Sequence, residues 1–131
     1  MRARWIRAAW SGAAALLASA AAQAPRDALD EVEPGRWRLH EIGTPGPDRS
    51  VCITDPRAFL QLRHAGAACT RHALDLGPGK VGARYSCPGA GYGQTDVTVE
   101  GRHLLRIQTQ GIADGQPFVA DYEARHAGAC G

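Results

Sequence analysis

The stretch TRHALDLGPGKVGARYSC, residues 70–87, decides the fold. Thr70, His72, Leu74 and Leu76 alternate with Arg71, Ala73 and Asp75, and Val81, Ala83, Tyr85 and Cys87 alternate with Gly82, Arg84 and Ser86. A period of two is the signature of a strand with one buried face, and Gly77-Pro78-Gly79-Lys80 between the two runs supplies a turn, so the segment reads as a β-hairpin. Setting Leu76 opposite Val81 places His72 on the apolar face of this hairpin and Thr70 opposite Cys87.

The same period continues downstream. Thr95, Val97 and Val99 oppose Asp96, Thr98 and Glu100; Gly101-Arg102 turns the chain; and His103 to Thr109 carries Leu105 and Ile107 on the apolar side. Gly111 to Pro117 reads as a loop, after which Phe118, Ala120, Tyr122 and Ala124 alternate with Val119, Asp121, Glu123 and Arg125. Pro88 to Gly93 reads as a flexible connection with Tyr92 exposed. Upstream, Arg36 to Ile42 places Trp37 and Leu39 on one side, Gly43 to Asp48 is a loop, and Ser50 to Thr54 is a further strand. Asp55-Pro56 starts a short helix with a capping side chain and a proline at its first position; Phe59, Leu62 and Ala65 form its face and Gly66 ends it. The fold class expected is mainly β: an antiparallel, curled meander of about six or seven strands, stapled by disulfides, with the helix and the Trp37 strand covering its apolar face.

At the other end, MRARWIRAAWSGAAALLASAAAQA combines three arginines, an Ala-rich apolar stretch and small residues, the pattern of an export signal. It is too short and too weakly apolar for the roughly 20 residues of a spanning helix. Cleavage after Ala22 satisfies the small-residue rule, and no cysteine stands at the junction to carry a lipid. The domain organisation is therefore a signal peptide over 1–22, a polar arm or short helical turn over 23–33, and a β domain over 34–131, exported to the periplasm and without a transmembrane segment. The full chain carries 15 Lys and Arg against 13 Asp and Glu. Arg2, Arg4 and Arg7 leave with the signal, so the remaining charge is −1, which excludes the clustered cations that nucleic acid requires.

All four cysteines, Cys52, Cys69, Cys87 and Cys130, follow the signal, and an even number in a small exported chain reads as disulfides. Cys69 and Cys87 arrive at the same end of the hairpin, and Cys52 and Cys130 lie at the early and late edges of the domain, which favours pairing them in that way. The alternative of Cys52 with Cys69 and Cys87 with Cys130 stays open, because the hairpin register puts Thr70 rather than Cys69 opposite Cys87.

No motif announces chemistry. GPGK at 77–80 ends like a phosphate loop but leads into a strand, and the glycines of PGAGYG precede no helix. There is no GxSxG elbow. His40, His64, His72, His103 and His126 show neither HxH nor HExxH spacing and read as surface histidines, so no metal or cofactor is expected. His72 and His103 fall on apolar faces of neighbouring hairpins, and Asp121 and Glu123 share a strand face that would suit carboxylate catalysis. Trp37, Tyr85, Phe118 and Tyr122 fall on apolar strand faces, where they either fill the core or line a ligand space.

Pro34-Gly35-x-Trp37, Val51-Cys52-Ile53-Thr54, a cysteine at each end of the hairpin and the terminal Gly128-Ala129-Cys130 together resemble the bacterial periplasmic proteins grouped as domain of unknown function 3617. The resemblance spans roughly residues 33–131 and departs where the family commonly has a Trp ahead of the third cysteine and this chain has Tyr85. It implies a small exported β domain with disulfides and no established activity. The expected function is a non-enzymatic envelope domain that binds an envelope protein or a small apolar ligand; the competing class is a hydrolase of envelope polymers using carboxylates or a His-bound metal. The export reading has a direct test. Intact mass of the exported protein is expected to show a chain beginning at Gln23, and a chain still beginning at Met1 in the membrane fraction would contradict it.

Overall fold

The computed structural model describes residues 27–131, so the signal reading over 1–22 lies outside the described residues. Seven strands, β1 (Gly35–Glu41), β2 (Arg49–Ile53), β3 (Thr70–Leu74), β4 (Lys80–Cys87), β5 (Gly91–Gly101), β6 (Leu104–Ala113) and β7 (Gln116–His126), form one open antiparallel sheet in the order β2-β1-β7-β6-β5-β4-β3. The meander from β3 to β7 is as expected. The Trp37 strand is not a cover: β1 pairs with β7 and takes its own place in the sheet, with Leu39 opposite Ala124.

Cover for the inner face comes from two 3-10 segments, Ala28–Glu31 and Pro56–His64. Asp55 caps the longer one, its side chain accepting from the Arg57 amide, and Pro56 follows at the first position. Long 3-10 runs are unfavourable. This one breaks at Gln61 (φ −142°, ψ 43°), whose side-chain amide donates to the carbonyls of His64 and Ala67. The break changes the buried face, which is made by Phe59, Leu60, Leu62 and His64, while Ala65 is exposed.

The sequence of residues 23–33 admits either a flexible arm or a helical turn. The described part takes the turn: Asp27 and Asp30 form a reciprocal cap, Arg57 reaches both carboxylates at 3.1 and 3.0 Å, and Leu29 and Val32 are buried. Leu29 joins Trp37, Phe59, Val97, Leu105 and Ile107 in a filled core, with Trp37 and Phe59 edge to face at 5.1 Å. Two apolar side chains thus anchor a segment whose composition is otherwise polar.

In the first hairpin the strands slip by one residue from the expected register. Thr70 lies opposite Ser86 and Leu74 opposite Gly82, not Leu76 opposite Val81. Because successive side chains alternate faces, a slip of one inverts the whole of β3: His72 moves to the outer face and is exposed, and Ala73 faces Ala83. β3 is an edge strand exposed along most of its length, so burial cannot dictate its register. The slip also removes the obstacle to pairing Cys69 with Cys87, since the observed register carries Cys69 opposite Cys87. Both favoured disulfides are present, Cys69–Cys87 and Cys52–Cys130, the second tying β2 to the chain beyond β7.

Two connections expected to be loops are strand. β6 runs to Ala113 and β7 starts at Gln116, joined by Asp114 (φ 51°) and Gly115 (φ 73°), the positive-φ pair of a tight two-residue hairpin turn. Of the Pro88 to Gly93 connection, Gly91 to Gly93 belong to β5.

The two disulfides close loops of very different length, with sequence separations of 78 and 18. On a chain-entropy basis, replacing Cys52 and Cys130 by Ser should cost about 4–5 kcal/mol, and replacing Cys69 and Cys87 about 3 kcal/mol. Urea unfolding of the two double variants is expected to show that order.

Candidate functional site

The inner face is occupied by protein. Trp37 and Tyr122, two of the four aromatics singled out in the sequence, sit in the filled core, 0% and 5% exposed. Trp37 is further fixed by its indole N–H, which donates to the Glu33 carbonyl at 3.0 Å. Tyr85 and Phe118 are also buried, but they stand at the other end of the sheet, in one register row: Tyr85, Gly93, Gly111 and Phe118 pair successively across β4, β5, β6 and β7. The two glycines are required by the Tyr85 ring and by the backbone. A Cβ at Gly93 would lie 2.6 Å from the Tyr85 hydroxyl, and one at Gly111 would overlap the backbone of Tyr92.

His64, read from the sequence as a surface residue, is 5% exposed beneath this row. Its Nε2–H faces the carbonyls of Ala90 and Ile112 at 3.1 and 3.0 Å, which leaves Nδ1 to accept from the Tyr85 hydroxyl at 3.0 Å. Thr95 and Thr109, joined by a 2.7 Å hydroxyl bond, are buried beside the same phenol, and Arg63 lies 4.6 Å over the Phe118 ring. The Tyr85 hydroxyl therefore turns toward protein partners rather than toward a guest. Nothing in the local sequence announces the buried histidine; Gly91, where a Cβ would come within 2.8 Å of His64 Nε2, makes the room for it.

On the outer face the same strands build a surface of another kind. Arg84, Gln94, Gln110 and Val119 form one register row, and Ser86, Tyr92, Ile112 and Pro117 form the next. Tyr92 is 57% and Val119 81% exposed, two of the three large hydrophobic side chains exposed among the described residues. They line a groove of about 480 Å³ together with Ile112, Phe118 and Tyr85. It continues past Gln94, Gln110 and Val119 into a polar trough of about 400 Å³ that reaches Asp96, Gln108 and Asp121. One carboxylate oxygen of Asp96 and one of Asp121 are buried without a hydrogen-bond partner. A larger depression of about 600 Å³ lies between the N-terminal 3-10 turn and the first hairpin, but it contains none of the large exposed hydrophobic side chains.

The other candidates are dispersed. Asp121 and Glu123 share a face as expected, yet each has an arginine, Arg106 at 3.6 Å and Arg125 at 2.7 Å. His72 and His103 do not meet, because the register slip turns His72 outward and His103 sits in the turn between β5 and β6. His103 instead stacks on His126 and bonds Glu33, whose carboxyl it holds below the usual carboxylate range.

Comparison of the chain with protein-family models, with curated proteins and with solved structures returns no match.

Burial raises the Tyr85 phenol above its ordinary value of 10.0. The folded protein keeps a proton that the unfolded chain gives up, so this contribution to stability is whole below pH 10 and is lost as pH rises from there toward the raised value. Tyr85→Phe should remove that pH dependence and, by leaving Nδ1 of His64 unpaired, cost about 1–3 kcal/mol at neutral pH. Urea titrations of both proteins between pH 7 and 11 check both effects.

Proposed function

We propose that this chain is an exported binding domain of the bacterial envelope, and that its ligand is a small amphipathic molecule held on the outer face of the sheet. The observation that carries the reading is the groove at Tyr92 and Val119: two large exposed apolar side chains, with Ile112 on the strand between them, line a groove that opens directly onto a polar trough. Ligand sites typically combine such an apolar wall with a few polar groups that fix orientation. An apolar ring or chain packs against Tyr92, Ile112 and Val119, and a hydroxyl or amine at the other end of the ligand meets the polar side chains that line the trough, Gln94, Gln110, Asp96 and Asp121.

Export to the periplasm is supported by the two disulfides, which persist in oxidising compartments. No helix among the described residues is long and apolar enough to cross a membrane. The motifs shared with the periplasmic family of unknown function point to the same compartment.

Native mass spectrometry of the protein purified from its own envelope fraction is expected to show a small adduct that leaves on denaturation. Tyr92→Ala combined with Val119→Ser should lose the adduct and keep a wild-type circular dichroism spectrum, because both side chains are exposed. Retention of the adduct by the double variant overturns the assignment to this face. A wild-type protein that carries no adduct and binds no neutral apolar fluorophore overturns the binding reading itself.

A further inference from the structure

Among the described residues, one group of two histidines and a carboxylate comes close enough to share an ion, at the end of the sheet opposite the groove. Glu33 precedes β1, His103 stands in the turn between β5 and β6, and His126 ends β7. Separated by up to 93 positions in the chain, the three bring one ligand atom each to within 4.8 Å of one another. Glu33 Oε2 and His103 Nε2 are 2.5 Å apart, and the two imidazoles stack at 5.1 Å.

We propose that Glu33, His103 and His126 form a binding site for a divalent transition metal, with Zn²⁺ as the best match. Two neutral imidazoles and a carboxylate are the ligand types that zinc takes with three protein groups, leaving a fourth position to solvent. Ligand atoms around a tetrahedral zinc sit about 3.3 Å apart. The His103–Glu33 pair must therefore open by under about 1 Å, and the widest separation must close by about 1.5 Å. Rotation of exposed side chains covers both movements, since His103 is 62% and Glu33 40% exposed.

The backbone is already fixed. The Glu33 amide donates to the Arg102 carbonyl at 3.1 Å, and the Glu33 carbonyl accepts from the Trp37 indole at 3.0 Å. The His126 amide donates to the His103 carbonyl at 3.0 Å, while Arg36 exchanges backbone bonds with Ala127 and Gly128 on the far side. The three ligands thus stand on segments tied directly to one another, and metal binding costs little ordering of the chain. The Nε2–H of His126 donates to the Pro34 carbonyl, a contact of the kind that orients ligating imidazoles, and its Nδ1 has only a long 3.4 Å approach from the Gly128 amide. The neighbouring cation, Arg102, lies 3.8 Å from Glu33 and is 71% exposed, free to turn into water when a metal arrives.

The site carries its own reporter. Trp37 is the one tryptophan beyond residue 22, and its ring meets His126 edge to face at 5.4 Å. Titration of the chelator-treated, disulfide-intact protein with ZnCl₂ is expected to give one equivalent by calorimetry and a matching change in Trp37 emission. His103→Ala and Glu33→Gln, both at exposed side chains, should each weaken binding by roughly tenfold or more, as loss of one of three ligands requires. His126→Gln should do the same, and His40→Ala, which removes the separate His40–Asp48 pair, should leave the affinity unchanged. An absence of zinc binding to the wild-type protein overturns the proposal. So does an affinity that neither His103→Ala nor Glu33→Gln alters.

Discussion

The cross-strand register of β4 to β7 is the constraint on which the other features depend. Each strand in this part of the sheet presents alternate residues to the core and to solvent, and the pairing brings them into rows, so one backbone ladder specifies two surfaces at once. The row Tyr85, Gly93, Gly111 and Phe118 shows how tightly it does so. The Tyr85 ring needs the space that Gly93 leaves, Gly111 lets the strand backbones approach, and Gly91 beside the row makes room for His64. Displacing any one of these strands by a residue would bring the outer-face polar side chains under the 3-10 segment, where Asp96 or Arg106 could find no solvent.

Burial has been used differently at the two ends of the sheet. Near β1 the core is apolar, with Trp37, Phe59 and Leu29 each fully buried in one cluster. Near Gly91 it contains a polar network in which each heteroatom of His64, Tyr85, Thr95 and Thr109 meets a partner. A network of this kind adds orientation more than net free energy, since hydrogen bonds to water are exchanged for bonds within the protein. Its consequence is positional: it joins the end of the Pro56–His64 segment to the strands that form the outer groove.

The chain ends do comparable work on the opposite side. The Cys52–Cys130 bridge, the backbone bonds between Arg36 and the 127–128 segment, and the bond from Glu33 to Arg102 fasten the entry and exit of the domain to the turn between β5 and β6. Chemically useful side chains collect there because three rigid segments end at one place.

Sequence alone determined what depends on local chemistry and on alternation. The strands of the meander, the Asp55-Pro56 helix start, the inward positions from Thr95 to Ala124 and the two favoured cysteine pairs could all be read, because strands of period two and capping residues carry their signal within a few neighbours. Tertiary structure decided the remainder. The slip in β3 was invisible because an exposed edge strand gains nothing from either face, so that the apolar alternation of Leu74 and Leu76 pointed to a face that is not buried. Leu29 and Val32 looked like part of a polar arm because what buries them lies across the sheet. His64 in its network, the outer groove at Tyr92 and Val119, and the meeting of Glu33 with His103 and His126 all join residues far apart in the chain. Their proximity is a property of strand order and register, and no spacing along the sequence records either one.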